Sequence, residues 1–297
     1  MARQRSIRDA IAGSGIGVHS GRRVDIRLLP APADSGITFR RSDLDPPVEI
    51  PARAALVRDT QLCTALVDEH GVRVATIEHL MSALAGVGID NIIIELTAPE
   101  VPIMDGSAAP FVYLLQQAGI REQDAAKRFI QILEPVEVRE GDKWARLSPF
   151  AGCRFDFSIE FDHPVFRHRN NQTRLDFSSR RYIRDISRAR TFGFLRDIEY
   201  LQSHGLTLGG GLDNAIVVDD YRVLNEQGLR FDDEFVRHKL LDAVGDLYLL
   251  GAPLIGHYQG YKSGHDLNNK LCLALEKSPQ SWCWTELDRD SSIEIDY

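Results

Sequence analysis

The sequence predicts an α+β fold in two similar halves, and three observations carry that prediction. Each half opens with short segments of alternating polarity broken by Pro, Gly and Asp, as antiparallel strands and turns are. Each half then switches to helical spacing. Finally, the succession helix, strand, Gly-containing turn, helix occurs twice along the chain.

Taken in order, VDIRLLP, ITFRRS, VEIPA and CTALVD read as strands within residues 1–75. TIEHLMSALAG (76–86) is spaced as a helix, with Thr76 as N-cap, Glu78 in the first turn where the helix dipole favours an anion, and Gly86 as stop. NIIIEL (91–96) is a strand, and PIMDGSAAPFVYLLQQAG holds a second helix capped by Ser107 and ending near Gln117. Between Glu122 and Arg128 the chain turns charged and loses its apolar period, so two domains are expected, 1–125 and 126–297. The second half gives strands in FIQILEPVEVRE, KWARLSPF and CRFDFSIEF, then a helix near 178–189 and an irregular stretch. A helix from about Asp233 to Leu250 stops at Gly251 and Pro253, and the strand LIGHYQGY leads to a last helix near 266–277.

A formal net charge of -8 removes the basic field that a nucleic-acid backbone needs, so no nucleic-acid partner is expected. The four cysteines, Cys63, Cys153, Cys272 and Cys283, lie far apart without a CxxC pair, which fits reduced thiols in a cytoplasmic protein. No secretion signal or eighteen-residue apolar run is readable, so no transmembrane segment is expected. The arginines of SRRYIRDISRAR (179–190) read either as a solvated helix face or as a site for an anion.

The chemistry lies in the repeat itself. E-H-L-M-S-A-L-A in the first half matches R-H-K-L-L-D-A-V in the second, which places His79 and His238 at equivalent points on equivalent helices. Packing those helices about a pseudo-twofold axis would bring the imidazoles together. His238, Asp242 and Asp246 follow at four-residue spacing on one helical face, with Lys239 about 100° round. Alone, that stripe also reads as a chain of surface ion pairs. With His79 added, two His and one Asp make a ligand set for a hydrolytic Zn²⁺, which keeps a fourth position for water. Glu78 is then a carboxylate beside the metal, suited to take a proton from that water, and the order E-H differs from the metalloprotease H-E-x-x-H.

His265 in KSGHDLNN opens the last helix, between a dipole that disfavours the imidazolium and Asp246, which favours it; that balance suits a general acid. LTLGGGLDNAIVVDD (206–220) lacks a phosphate-loop GK[ST] and reads as a turn entering a strand. No chemistry is assigned to His70, His163, His168, His204 or His257. His19 stands apart because GIGVHSG surrounds it with glycines that allow close backbone approach.

Together, GIGVHSG, TQLCT, TIEHLMSAL, PIMDGSA, ISRARTFGF, GGLDNAIV, RHKLLDAVGDLYLLG and SGH resemble, in order from about residue 5 to 275, the UDP-3-O-acyl-N-acetylglucosamine deacetylases, zinc amidases of lipid A biosynthesis in Gram-negative bacteria. The resemblance implies two similar two-layer α/β domains packed helix layer to helix layer, a small β insertion in the first, and a β-α-β insertion near 191–220 forming an apolar acyl passage. It implies His79, His238 and Asp242 as zinc ligands and Glu78 as general base. Thr191 would donate to the oxyanion, and His265, oriented by Asp246, would protonate the leaving amine. Lys239, Lys262 and Phe161 would face the nucleotide end, and Phe192 and Phe194 would line the insertion. Asp266, an extra carboxylate after His265, would raise the pKa of that histidine. The implied reaction is hydrolysis of the N-acetyl group of UDP-3-O-(3-hydroxyacyl)-N-acetylglucosamine by a monomer, releasing acetate. Two rivals remain at this point: a metal hydrolase of a small soluble substrate, which would not need the apolar insertion, and a non-enzymatic binder whose His and Asp are merely ion-paired.

Overall fold

The computed structural model describes residues 2–203, 205–288, 291, 293 and 295–297, so His204 lies outside the described residues. The fold is α+β. Its helices, in chain order, are α1 (Glu78–Val87), α2 (Ala109–Ala118), α3 (Pro164–Arg167), α4 (Ser179–Asp185), α5 (Leu195–Ser203), α6 (Glu234–Leu247) and α7 (His265–Glu276).

Two sheets carry these helices, and their strands follow the same plan. In the first sheet, Ile92–Leu96 is central, antiparallel to Arg23–Pro30 on one side and parallel to Ile37–Arg41 on the other. Each flanking strand closes a hairpin, with Ile11–Ile16 and Val48–Pro51 respectively. In the second sheet, Leu254–Tyr261 is central, antiparallel to Lys143–Ser148 and parallel to Cys153–Ser158. Hairpin partners again lie outside, Val136–Glu140 and Gln172–Asp176. In both halves a helix leads into the central strand and another follows it, α1 and α2 in the first and α6 and α7 in the second. The short repeat legible in the sequence therefore extends to the direction and order of five strands.

Buried alternation explains the pairing: Val24, Ile26 and Leu28 are buried while Asp25 and Arg27 are exposed, one face of a strand in the core. All ten residues of α1 are buried, including Glu78, His79 and Ser82, because α1 packs directly on α6. Small residues set that close approach. A Cβ on Gly245 would lie 2.1 Å from the Glu78 carbonyl oxygen, and Ser82 Oγ donates to the Leu241 carbonyl at 2.7 Å.

Several expected boundaries shift. Thr76 does not cap α1: it takes a left-handed φ of 57°, its hydroxyl donates to Glu100 at 3.2 Å, and Ile77 occupies the cap position without a side-chain bond. α1 ends at Val87 and is capped by Gly88, which takes φ 73° that glycine alone adopts freely, two residues beyond Gly86. The helix near 178–189 stops at Asp185. Ser107 stands one residue before the α2 cap position, which Ala108 occupies, and its Oγ accepts from the Ala109 amide at 3.2 Å. The charged stretch after Gly119 is a strand, Ile120–Ala126, paired antiparallel with Arg3–Ile7.

Candidate active site

The α1–α6 contact brings the two matching histidines together, with ring centroids 5.0 Å apart. Asp242 Oδ1 lies 3.3 Å from His238 Nε2 and 3.6 Å from His79 Nε2. Both separations exceed the usual hydrogen-bond length, and Asp242 Oδ1 is buried without a hydrogen-bond partner. They match the edge of a tetrahedron with ligand bonds of about 2.0–2.2 Å, which is roughly 3.3–3.6 Å. Ligand atoms of His79, His238 and Asp242 all fall within 4.8 Å of one another, so the donor set fits a divalent ion such as zinc.

Two of the three candidate ligands are oriented from behind, whereas His79 Nδ1 is buried without a partner. His238 Nδ1 donates to the Ala189 carbonyl at 3.0 Å, which leaves Nε2 as the free lone pair. Burial pushes the His238 pKa down to about 3, against the opposing pull of Asp242, so the ring is neutral as a ligand must be. Lys239 Nζ holds Asp242 Oδ2 at 2.8 Å and turns Oδ1 toward the histidines. Although burial alone would raise it, the Asp242 pKa is held well below the usual carboxylate range by His238 and Lys239.

Glu78 and His265 form the second group. Glu78 Oε2 accepts the Thr64 amide at 2.9 Å, and its Oε1 lies 3.9 Å from His265 Nε2. Burial raises the Glu78 pKa above the ordinary glutamate value. His265 Nδ1 donates to Asp246 Oδ2 at 2.9 Å. Burial disfavours the His265 imidazolium, but Asp246 and then Glu78 outweigh it, and the pKa is raised to about 9. Asp246 is fixed in turn by Thr64 Oγ1 at 2.6 Å and Asn268 Nδ2 at 2.9 Å. No role is predicted from sequence for Thr64 or Asn268. Asn268 is three residues beyond His265 on the same face of α7, a spacing that could have flagged it.

A cleft of about 350 Å³ opens over these groups, lined among others by Glu78, His79, Thr191, His238, Lys239 and His265. Thr191 is pinned from both halves of the chain: its amide donates to Gly106 and its carbonyl accepts from Ile216, each at 2.8 Å. Beside it, the buried Arg190 pairs with the fully buried Glu234 at 2.9 Å. This takes one arginine of the 179–190 run into structure, while Arg184 pairs with Asp185 at the surface. Phe192–Phe194 and Ile216–Val218 are parallel strands, with α5 between them in the chain. Phe161 packs against Phe192 and Phe194 at 5.8 Å from each, and all three line the cleft.

Two sequence expectations land elsewhere. Lys262 is not among the lining residues and pairs with Asp142 and Glu160. Asp266 pairs with Lys270 at 2.6 Å and is half exposed, so the carboxylate supporting His265 is Asp246.

Comparison with known proteins agrees in extent. A family model described as UDP-3-O-acyl N-acetylglycosamine deacetylase matches residues 4–277. A UDP-3-O-acyl-N-acetylglucosamine deacetylase of Vibrio campbellii is 58% identical over 295 residues, covering 99% of this chain and 97% of the relative. Those of Vibrio vulnificus and Vibrio cholerae are 59% and 57% identical over 290 residues, covering 98% of this chain and 95% of each relative.

Proposed function

This chain belongs to the UDP-3-O-acyl-N-acetylglucosamine deacetylase family, and from that premise we propose that it hydrolyses the N-acetyl group of UDP-3-O-(3-hydroxyacyl)-N-acetylglucosamine in lipid A biosynthesis. The observation that carries the reading is the buried, donorless Asp242 Oδ1 facing the two histidine nitrogens.

His79, His238 and Asp242 would hold Zn²⁺, which when bound supplies Lewis acidity and lowers the pKa of water toward neutrality. Glu78 stands outside that ligand set, with a raised pKa, and takes a proton from the attacking water. Thr191, whose backbone is held on both sides, donates its hydroxyl to the oxyanion of the tetrahedral intermediate. His265, kept as imidazolium by Asp246, gives its Nε2 proton to the leaving nitrogen as the C–N bond breaks, so acetate and the free amine depart. Lys239 serves Asp242 and, at the cleft wall, the anionic end of the substrate; Phe161 is proposed for the nucleotide end, and Phe192 and Phe194 for the acyl chain.

Residues 1–125 and 126–297 are proposed to act as two domains with their helix layers facing across the cleft. No helix among the described residues is long and apolar enough to cross a membrane. We infer a cytoplasmic monomer with its cysteines reduced, in keeping with four free thiols. The apolar phenylalanine wall argues against a small, fully polar substrate.

The test follows acetate release from the acylated UDP-sugar by the wild type and by Glu78→Ala. A loss of at least about 100-fold with zinc still bound is expected for a missing general base. Unchanged turnover would reject Glu78 in that role.

A further inference from the structure

Away from the histidines the cleft runs between Leu62, Ile103, Ile198 and Leu201, and two polar side chains interrupt that apolar wall. His19 and Thr207 both line it. Neither ring nitrogen of His19, nor the Thr207 hydroxyl, has a hydrogen-bond partner, and all three atoms are buried. Polar atoms shielded from water without partners weaken a fold, so their retention calls for a ligand that pairs with them.

The surrounding main chain holds both residues in place. The His19 and Ser20 amides donate to the two carboxylate oxygens of Glu100 at 2.8 and 3.2 Å. The Leu208 amide donates to the His19 carbonyl at 3.1 Å, and the Gly209 amide to the Val18 carbonyl at 3.0 Å. Glycine is required at this clasp, because a Cβ on Gly209 would sit 2.3 Å from the Gly17 carbonyl oxygen. Thr207 takes φ 52°, a conformation that a β-branched side chain resists and that persists only where neighbours impose it. Burial lowers the His19 pKa more than Glu100 raises it, so the ring is neutral near pH 7 and offers one donor and one acceptor. With the threonine hydroxyl, the pair complements a group that both donates and accepts. A carbonyl could only accept, and a plain alkyl chain would satisfy neither residue.

We propose that His19 and Thr207 form a polar subsite within the acyl passage that binds a hydroxyl carried on the acyl chain, and so select hydroxyacyl over plain acyl substrates. This rests on reading the cleft as the site of an acyl-UDP-sugar deacetylase.

The experiment measures kcat/KM on UDP-3-O-(3-hydroxyacyl)-N-acetylglucosamine and on the chain-matched substrate lacking only that hydroxyl. The wild type should prefer the hydroxylated substrate by about tenfold or more. Thr207→Val and His19→Phe should bring the two substrates within about twofold of each other, through loss on the hydroxylated one, while Thr207→Ser keeps the preference. Because each variant is compared with itself on two substrates, partial misfolding does not alter the ratio. A ratio unchanged from wild type in both variants, including an equal loss on both substrates as a contact to the ester carbonyl would give, overturns the subsite. Acetate release by the wild type from neither substrate would overturn the deacetylase reading and this inference with it.

Discussion

Gly245 on α6 lies so close to Glu78 on α1 that a methyl group added there would meet the Glu78 carbonyl oxygen at 2.1 Å. The atom in the way is backbone, which cannot swing aside, so the two helices must move apart. Since the same contact sets the His79–His238 separation, stability and metal binding are coupled through this glycine. Gly245→Ala should cost about 1–3 kcal/mol or more in denaturant unfolding and weaken zinc retention together. Wild-type values for both would show that the close approach is not what assembles the site.

The Arg190–Glu234 pair supports the neighbouring chemistry by holding main chain. Glu234 accepts the Arg190 amide at 3.0 Å as well as its guanidinium, and Ala189 and Thr191 flank that amide. Removing the carboxylate leaves a buried guanidinium without its partner. Glu234→Ala is expected to lose about 3–5 kcal/mol of stability and to lower kcat, read from unfolding midpoints and acetate release. A variant as stable and as active as the wild type would remove the pair from this role.

As the proposed general acid, His265 should set the alkaline side of the pH profile. Its folded pKa of about 9 lies above the ordinary value of 6.5, so the imidazolium is favoured by the fold. The associated stability is fully present below about pH 6.5 and is lost as pH rises through 9. Activity that needs the imidazolium should fall over the same upper range. Asp246→Asn removes the largest contribution that raises this pKa, so the alkaline limb should move down by at least about one pH unit. A limb that stays in place would assign it to another group.

The parts of the site legible in the sequence were those where polarity contradicts periodicity. His79, His238, Asp242 and Asp246 stand out because helices of otherwise apolar spacing carry them, and all four are buried. Thr64 gave no such signal, since its contacts to Glu78 and Asp246 join a loop to residues 14 and 182 positions away. The strand Ile120–Ala126 was hidden for the opposite reason: Arg121, Glu122 and Asp124 are all exposed in a two-stranded ribbon, so little alternation survives. Thr76 has the composition of a cap, yet its hydroxyl is drawn to Glu100, a preference that only tertiary structure supplies.

The proposed chemistry requires His79, His238 and Asp242 to hold one metal ion. Elemental analysis of the protein purified without chelator, alongside Asp242→Ala, measures this directly. About one zinc per chain is expected in the wild type and a large loss in the variant, with acetate release falling in proportion and returning to the chelator-treated wild type on adding Zn²⁺. Wild-type protein that binds no metal yet releases acetate, or an Asp242→Ala variant that keeps its zinc, would contradict it.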